Sequence, residues 1–192
     1  MLDPFRHGDL PRIPGAALFE AGAGQADHVR EENYDVALHV GTLPGNAAAH
    51  RHLVSLTRGL YASPDYLRRG RRPEAWQFIL TGQQVADGIS ALAMGPGAPD
   101  RRARVLTNNI GLVRQLVLCG AGVGVLPNGM CGQDVRSGRL RRLPEREGFP
   151  PLEVSATPFS GRAMTRKVGA FLDHLGECLA AEDPPLIGRA PR

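Results

Sequence analysis

Between Thr107 and Pro127 the chain reads TNNIGLVRQLVLCGAGVGVLP: a polar stretch, an apolar stripe and a glycine-loosened apolar run in direct succession. That order commits the segment to loop, helix and strand. Ile110, Val113, Leu116 and Val117 recur at helical spacing, and Asn108 or Asn109 is placed to accept a hydrogen bond from first-turn amides. Gly120 is placed to end the helix, because the position past a helix end favours positive φ, and Gly122 and Gly124 keep the next strand slim as far as Pro127. GAGVG looks like part of a dinucleotide fingerprint, but a nucleotide loop follows a strand and opens a helix. Here the glycines follow a helix and open a strand. The amides that face a cleft are then those of Thr107 to Ile110, which suit a carboxylate or other anion; a helix capped by its own asparagine explains the same spacing.

Composition bounds the partners. A chain of 192 residues can bury one core or divide between two small lobes, and 42% hydrophobic with 22% charged residues is ordinary for a globular protein. The net charge of +4 comes mostly from arginine, in the runs Arg68-Arg69-Gly70-Arg71-Arg72, Asp100-Arg101-Arg102-Ala103-Arg104 and Arg139-Leu140-Arg141-Arg142. These runs sit at segment ends with no groove-reading element beside them, so they read as solvated loops. One tryptophan, Trp76, and 5% aromatics leave no stacking platform for single-stranded nucleic acid. Cys119, Cys131 and Cys178 have neither metal-ligand nor redox-motif spacing and read as reduced, mostly buried thiols. Met1 to Leu10 lacks an apolar signal core, and no apolar run reaches membrane-spanning length, so the expectation is a soluble cytoplasmic protein with no membrane partner.

Along the chain, Pro14–Ala21 predicts a strand, Gln25–Glu32 a short helix and Tyr34–Gly41 a second strand, together a βαβ unit with parallel pairing. His52–Tyr61 predicts one further strand. It runs into Ser63-Pro64-Asp65, where serine suits the N-cap, proline the first helical position and aspartate the first turn. Trp76–Leu80 and Arg104–Leu106 predict short strands, with a loop over Met94–Asp100 between elements. After Pro127 come a helix over Met130–Ser137 ended by Gly138, a strand over Leu152–Thr157 and a helix striped by Met164, Val168, Phe171, Leu172, Leu175 and Leu179. Residues 183–192 read as a disordered tail.

No catalytic constellation stands out. His50-Arg51-His52 puts two histidines on one strand face without a third ligand, and His39 falls on a strand expected to be largely covered, which suits a hydrogen-bonded structural histidine better than a base. No serine sits in a G-x-S-x-G elbow. Nothing in the sequence asks for a metal or a cofactor, and an enzyme is unsupported.

Taken in order, YDVALHVG with Leu43, YASPDYL, the TNN-helix-GAGVGVLP segment, SGRLRRLP and the KVGAFLDHL helix resemble the effector-binding domain of LysR-type transcriptional regulators, over about Ala16 to Ala181. The resemblance implies an α/β fold like a type 2 periplasmic binding protein: two α/β lobes joined by two crossover strands, with a small metabolite between them. Lobe I would comprise residues 1–58 with 152–182 and lobe II residues 59–151, the crossings lying in His52–Tyr61 and Leu152–Thr157. It places the ligand-binding residues at Gln25, Gly41 and Thr42 on one wall and at Thr107, Asn108 and Asn109 on the other. The implied ligand is a small, anionic effector, and the implied assembly a homodimer or tetramer.

Two departures follow. No helix-turn-helix pattern precedes Pro14, so DNA would be reached only through a winged helix-turn-helix that these residues do not include. Met1–Arg12 also does not supply the family's first effector-domain strand and helix, so the fold is expected to be N-terminally truncated, with neighbouring strands left unpaired, weakened dimerisation and weaker effector binding than in a version extended upstream. The alternative is a stand-alone cytosolic solute-binding protein of the same fold.

Overall fold

The computed structural model describes residues 18–21, 35–41, 50–70, 72–94, 103–145, 148–158 and 165–183. In chain order its elements begin with β1 (Leu18–Ala21), β2 (Val36–Val40), β3 (Arg51–Leu56), β4 (Arg58–Ala62), α1 (Pro64–Leu67), β5 (Phe78–Thr81), α2 (Gly82–Ala86) and α3 (Ile89–Met94). They continue with β6 (Ala103–Thr107), α4 (Ile110–Leu118), β7 (Val123–Pro127), α5 (Asn128–Arg136), β8 (Arg141–Leu143), β9 (Leu152–Pro158) and α6 (Arg166–Glu182). The helix expected over Gln25–Glu32 and the loop after Met94 lie outside the described residues. The chain divides into two compact units: unit 1 runs to Ser55 and resumes at Glu153–Glu182, and unit 2 takes in Leu56–Leu152 and Asp183.

Unit 1 is built on a sheet of order β1-β2-β9-β3. The β1 and β2 strands pair in parallel from Leu18↔Val36 to Ala21↔His39, as a βαβ unit requires. Among the described residues β1 pairs with β2 alone and forms one edge of this sheet, β3 forming the other. The β9 strand runs antiparallel to β2, and the apolar stripe of α6, Val168, Phe171, Leu172 and Leu175, packs with Val36 and Ala156. Partly buried Leu38, Leu53 and Leu179 border this core.

Unit 2 is built on a sheet of order β6-β5-β7-β4-β8, in which β5, β6 and β7 are parallel and β4 runs antiparallel to both β7 and β8. All residues of β4, β5 and β7 are buried. Leu60, Ala62, Phe78, Leu80, Val123 and Val125 serve one core with Tyr66 and Ile89, whereas Tyr61, Ile79 and Leu126 serve another with Val113, Val117, Cys131 and Leu140. Cover on both faces explains why these strands read as continuous apolar runs. It also explains Gly124, where a β-carbon would come within 2.8 Å of Val117 Cγ2 and 3.1 Å of Val113 Cγ1, so α4 can lie close on β7.

The local signals hold closely. Ser63 Oγ accepts from the Tyr66 amide at 3.3 Å with Pro64 opening α1. Gly120, at φ 73°, ends α4: its amide donates to Val117 O at 3.0 Å and that of Ala121 to Leu116 O at 3.0 Å. Gly138, at φ 72°, ends α5 in the same way. Three expectations change. The stretch His52–Tyr61 is two strands, because Thr57 separates β3 in one sheet from β4 in the other. Helices α2 and α3 fill a stretch in which the sequence predicts no element. Of the thiols only Cys131 is buried; Cys119 caps the end of α4 and Cys178 lies on the outer face of α6, and both are exposed.

Candidate functional site

The parallel strands of unit 2 end together. Thr81 closes β5 and Thr107 closes β6 as register partners, while β7 reaches the same edge at Pro127 opposite Arg58. From each end the chain turns straight into a helix: α2 after Thr81, α4 after Asn109, α5 after Pro127. Ligands in open α/β sheets collect outside such carboxyl ends, where helix starts present free amides and a positive dipole end.

The polar side chains of this edge hold its turns. Thr107 Oγ1 accepts from the Asn109 amide at 3.2 Å, and Asn109 Oδ1 accepts from the Leu112 amide at 3.0 Å. Asn109 is therefore the N-cap of α4, and Asn108 is the exposed residue between the strand end and the cap. Thr81 and Gln84 form a capping box: Thr81 Oγ1 accepts from the Gln84 amide at 3.1 Å and Gln84 Oε1 accepts from the Thr81 amide at 2.9 Å. The buried Gln84 Nε2 also donates to Val125 O at 2.7 Å, which fixes α2 to β7. Beside them Tyr61 donates to Asn128 Oδ1 at 2.6 Å, Asn128 Nδ2 to Thr57 Oγ1 at 2.6 Å, and Thr57 donates its amide and hydroxyl to the Asp183 carboxylate at 2.6 and 2.9 Å. Burial, first, and the neighbouring Cys131 hold the Tyr61 hydroxyl protonated well above its ordinary range, so it donates throughout this network.

Of the residues expected in a ligand site, Thr107, Asn108 and Asn109 are together at this edge, Thr107 half-buried and both asparagines exposed. Gly41 belongs to unit 1, at φ 102°, with its amide donating to Glu153 O at 2.8 Å. Gln25 and Thr42 lie outside the described residues. The sequence reading passed over Thr81, Gly82 and Gln83, although the T-x-x-Q spacing of Thr81 and Gln84 is a capping signature that could have found them.

A second cluster lies in unit 1. Ser55 Oγ donates to Glu153 Oε2 at 2.7 Å, and His52 Nε2 stands 2.8 Å from that oxygen and 3.0 Å from Ser55 Oγ. A nucleophilic relay needs the imidazole between hydroxyl and acid, one ring nitrogen to each. Here one nitrogen faces both, so the imidazole and the hydroxyl share one carboxylate oxygen and no relay is formed. Among the described residues no three His, Cys, Asp or Glu side chains are grouped to hold a metal, and no helix is long and apolar enough to cross a membrane.

Residues 17–180 match the LysR substrate binding domain family. An HTH-type transcriptional regulator of Xanthomonas campestris pv. campestris is 30% identical over 169 residues, which cover 82% of this chain and 49% of that protein, so the chain spans about half the length of this relative. Among solved structures, the regulatory domain of CrgA, a LysR-type transcriptional regulator from Neisseria meningitidis, superposes with a TM-score of 0.60 at 24% identity, covering 78% of this chain and 77% of that one. The AmpR effector binding domain from Citrobacter freundii superposes with a TM-score of 0.62 at 16% identity, covering 78% and 76%. At such identities the two structures speak for the shared fold.

Proposed function

Because the chain belongs to the LysR substrate-binding domain family, we propose that it senses a small anionic metabolite for a transcription regulator, and that the metabolite docks on the helix starts at the carboxyl edge of unit 2. One observation carries this reading: Thr81 and Thr107 end adjacent parallel strands in register, and each leads into a helix start. In α4 the Asn109 amide is taken by Thr107 and the Leu112 amide by the Asn109 cap. The amides of Ile110 and Gly111 have no acceptor within their own helix and supply donors for a carboxylate. Thr107, Asn108 and Asn109 orient the ligand.

In this reading the domain works in the cytoplasm as a homodimer or tetramer and catalyses no reaction. Effector binding biases it between two conformations, and the change is passed to a DNA-binding helix-turn-helix part. Titration calorimetry with a panel of aromatic and aliphatic mono- and dicarboxylates tests the site. At least one acid should bind, and losing one hydrogen bond to its charged group, in Thr107→Val or Asn108→Ala, should weaken it by about tenfold or more. Unchanged affinity in both variants would remove the site from this edge.

A further inference from the structure

We propose that the opposite, amino-terminal edge of the unit 2 sheet is a docking surface for the phosphate backbone of duplex DNA. Across the sheet, from β8 through β4, β7 and β5 to β6, the strands meet this edge at Arg141, Ala62, Val123, Phe78 and Ala103. The topology therefore collects arginines that are far apart in the sequence. Arg68, Arg69 and Arg72 follow α1 between the end of β4 and the start of β5, Arg104 lies at the start of β6, and Arg136 and Arg141 flank the link from α5 to β8; all six are exposed.

Two of them are held in place. The Arg69 guanidinium stands over the Tyr66 ring, 5.8 Å from its centre, and Arg104 Nη1 donates to Gln77 Oε1 at 2.7 Å. Among the described residues their neutralising partners are few. Asp65 pairs with Arg68 at 2.5 Å, Glu74 lies in the turn of Pro73–Ala75, and the fully buried Asp134 is taken by Arg114 and by the neighbouring Arg139. Guanidinium groups restrained before binding lose less entropy when they meet an oxyanion.

Length and texture favour DNA over an acidic protein. Five strands span four gaps of about 4.8 Å, an edge of about 19 Å. Duplex DNA presents one negative charge per about 1.7 Å, or about eleven over that distance, which several arginines can meet at once. A protein interface needs a desolvated apolar centre. Of the exposed large apolar side chains among the described residues, Leu106 and Leu112 lie toward the other edge and Leu92 lies on α3, which leaves Val135 beside Arg136. Such a surface reads charge and not sequence, so it would add non-specific affinity to whatever recognises a site.

The test is fluorescence anisotropy of a short, mixed-sequence, dye-labelled duplex, titrated with the whole chain over a series of salt concentrations. Two double variants each remove two exposed positive charges: Arg69→Ser with Arg72→Ser on this edge, and Arg166→Ser with Lys167→Ser at the start of α6 in unit 1. The chain should bind at low salt, and the edge variant should lower the slope of log K against log salt by about two and weaken binding at least about tenfold, while the α6 variant retains the slope. Glutamine at the same positions provides a second comparison that keeps the side-chain length. Failure of the chain to bind, equal losses in the two variants, or undiminished binding by the edge variant would each overturn the proposal.

Discussion

Thr81 and Thr107 are register partners at the ends of β5 and β6, and both side-chain hydroxyls accept from a backbone amide just downstream: Thr81 from Gln84 at 3.1 Å, Thr107 from Asn109 at 3.2 Å. Two adjacent strands thus hand over to two helices through the same residue type. The helix starts are held side by side at one edge, which is what a site for an anion needs.

Asn109 is bound to its own helix before any ligand arrives. Replacing it by alanine removes the N-cap of α4 and should cost about 1 kcal/mol. For a chain of this size that corresponds to about 2–4 °C in melting temperature. Asn109→Asp or Asn109→Ser should restore most of the loss. An alanine variant that melts with the parent would show that the cap contributes nothing and that Asn109 is free for a ligand.

Gly124→Ala should destabilise unit 2 by about 1–3 kcal/mol, because the added methyl meets Val117 and Val113 where neither can yield without moving α4. At Gly148, where an added β-carbon meets nothing within 4 Å, the same change should be neutral. Chemical denaturation of the two variants separates them, and equal midpoints would mean that α4 does not rest on β7 as closely as described.

The contrast between these glycines shows what was legible in the sequence. Ser63-Pro64-Asp65, Gly120 and Gly138 announce helix ends through local chemistry, and they are where the structure follows the sequence most closely. Thr57 carries no such mark. It lies inside an unbroken run of strand-forming residues, and only the passage from one sheet to the other divides that run. Helices α2 and α3 are too short, at five and six residues, to show an apolar stripe, so Thr81–Gln84 was the one available signal. At the candidate site, spacing could not choose between Asn108 and Asn109 as the cap, because that choice depends on where β6 ends. Exposure of Cys119 and Cys178 was hidden for a related reason: an apolar pattern in sequence does not say which side of it meets solvent.

The three thiols should separate by reactivity. Burial, first, and the nearby Asp134 carboxylate push the Cys131 thiol up to about 12, whereas Cys119 and Cys178 are exposed. At mildly alkaline pH a thiol reagent should label two cysteines per chain quickly and the third only on unfolding. Fast labelling of all three would mean that the core around Cys131 is open.

His39 lies part-buried on β2, and burial, followed by the nearby charge of His50, lowers its pKa below 6.5. As pH falls through 6.5 the unfolded chain takes up this proton before the folded one does, so the contribution of His39 makes the fold less stable over that window and levels off once the folded form is also protonated. His39→Gln should flatten the fall in melting temperature on acidification from neutral pH. An unchanged pH profile would remove His39 as its source.

An anionic effector seated on the helix starts at the carboxyl edge of unit 2 would perturb the backbone amides it meets. The most direct measurement is the amide NMR spectrum of the isotope-labelled chain titrated with the tightest-binding carboxylate of the panel. The largest shifts should cluster at Thr107–Gly111 and extend to Thr81–Gln83, with the amides around Arg69 and Arg141 unmoved. Saturable binding that leaves Thr107–Gly111 unshifted would contradict that placement.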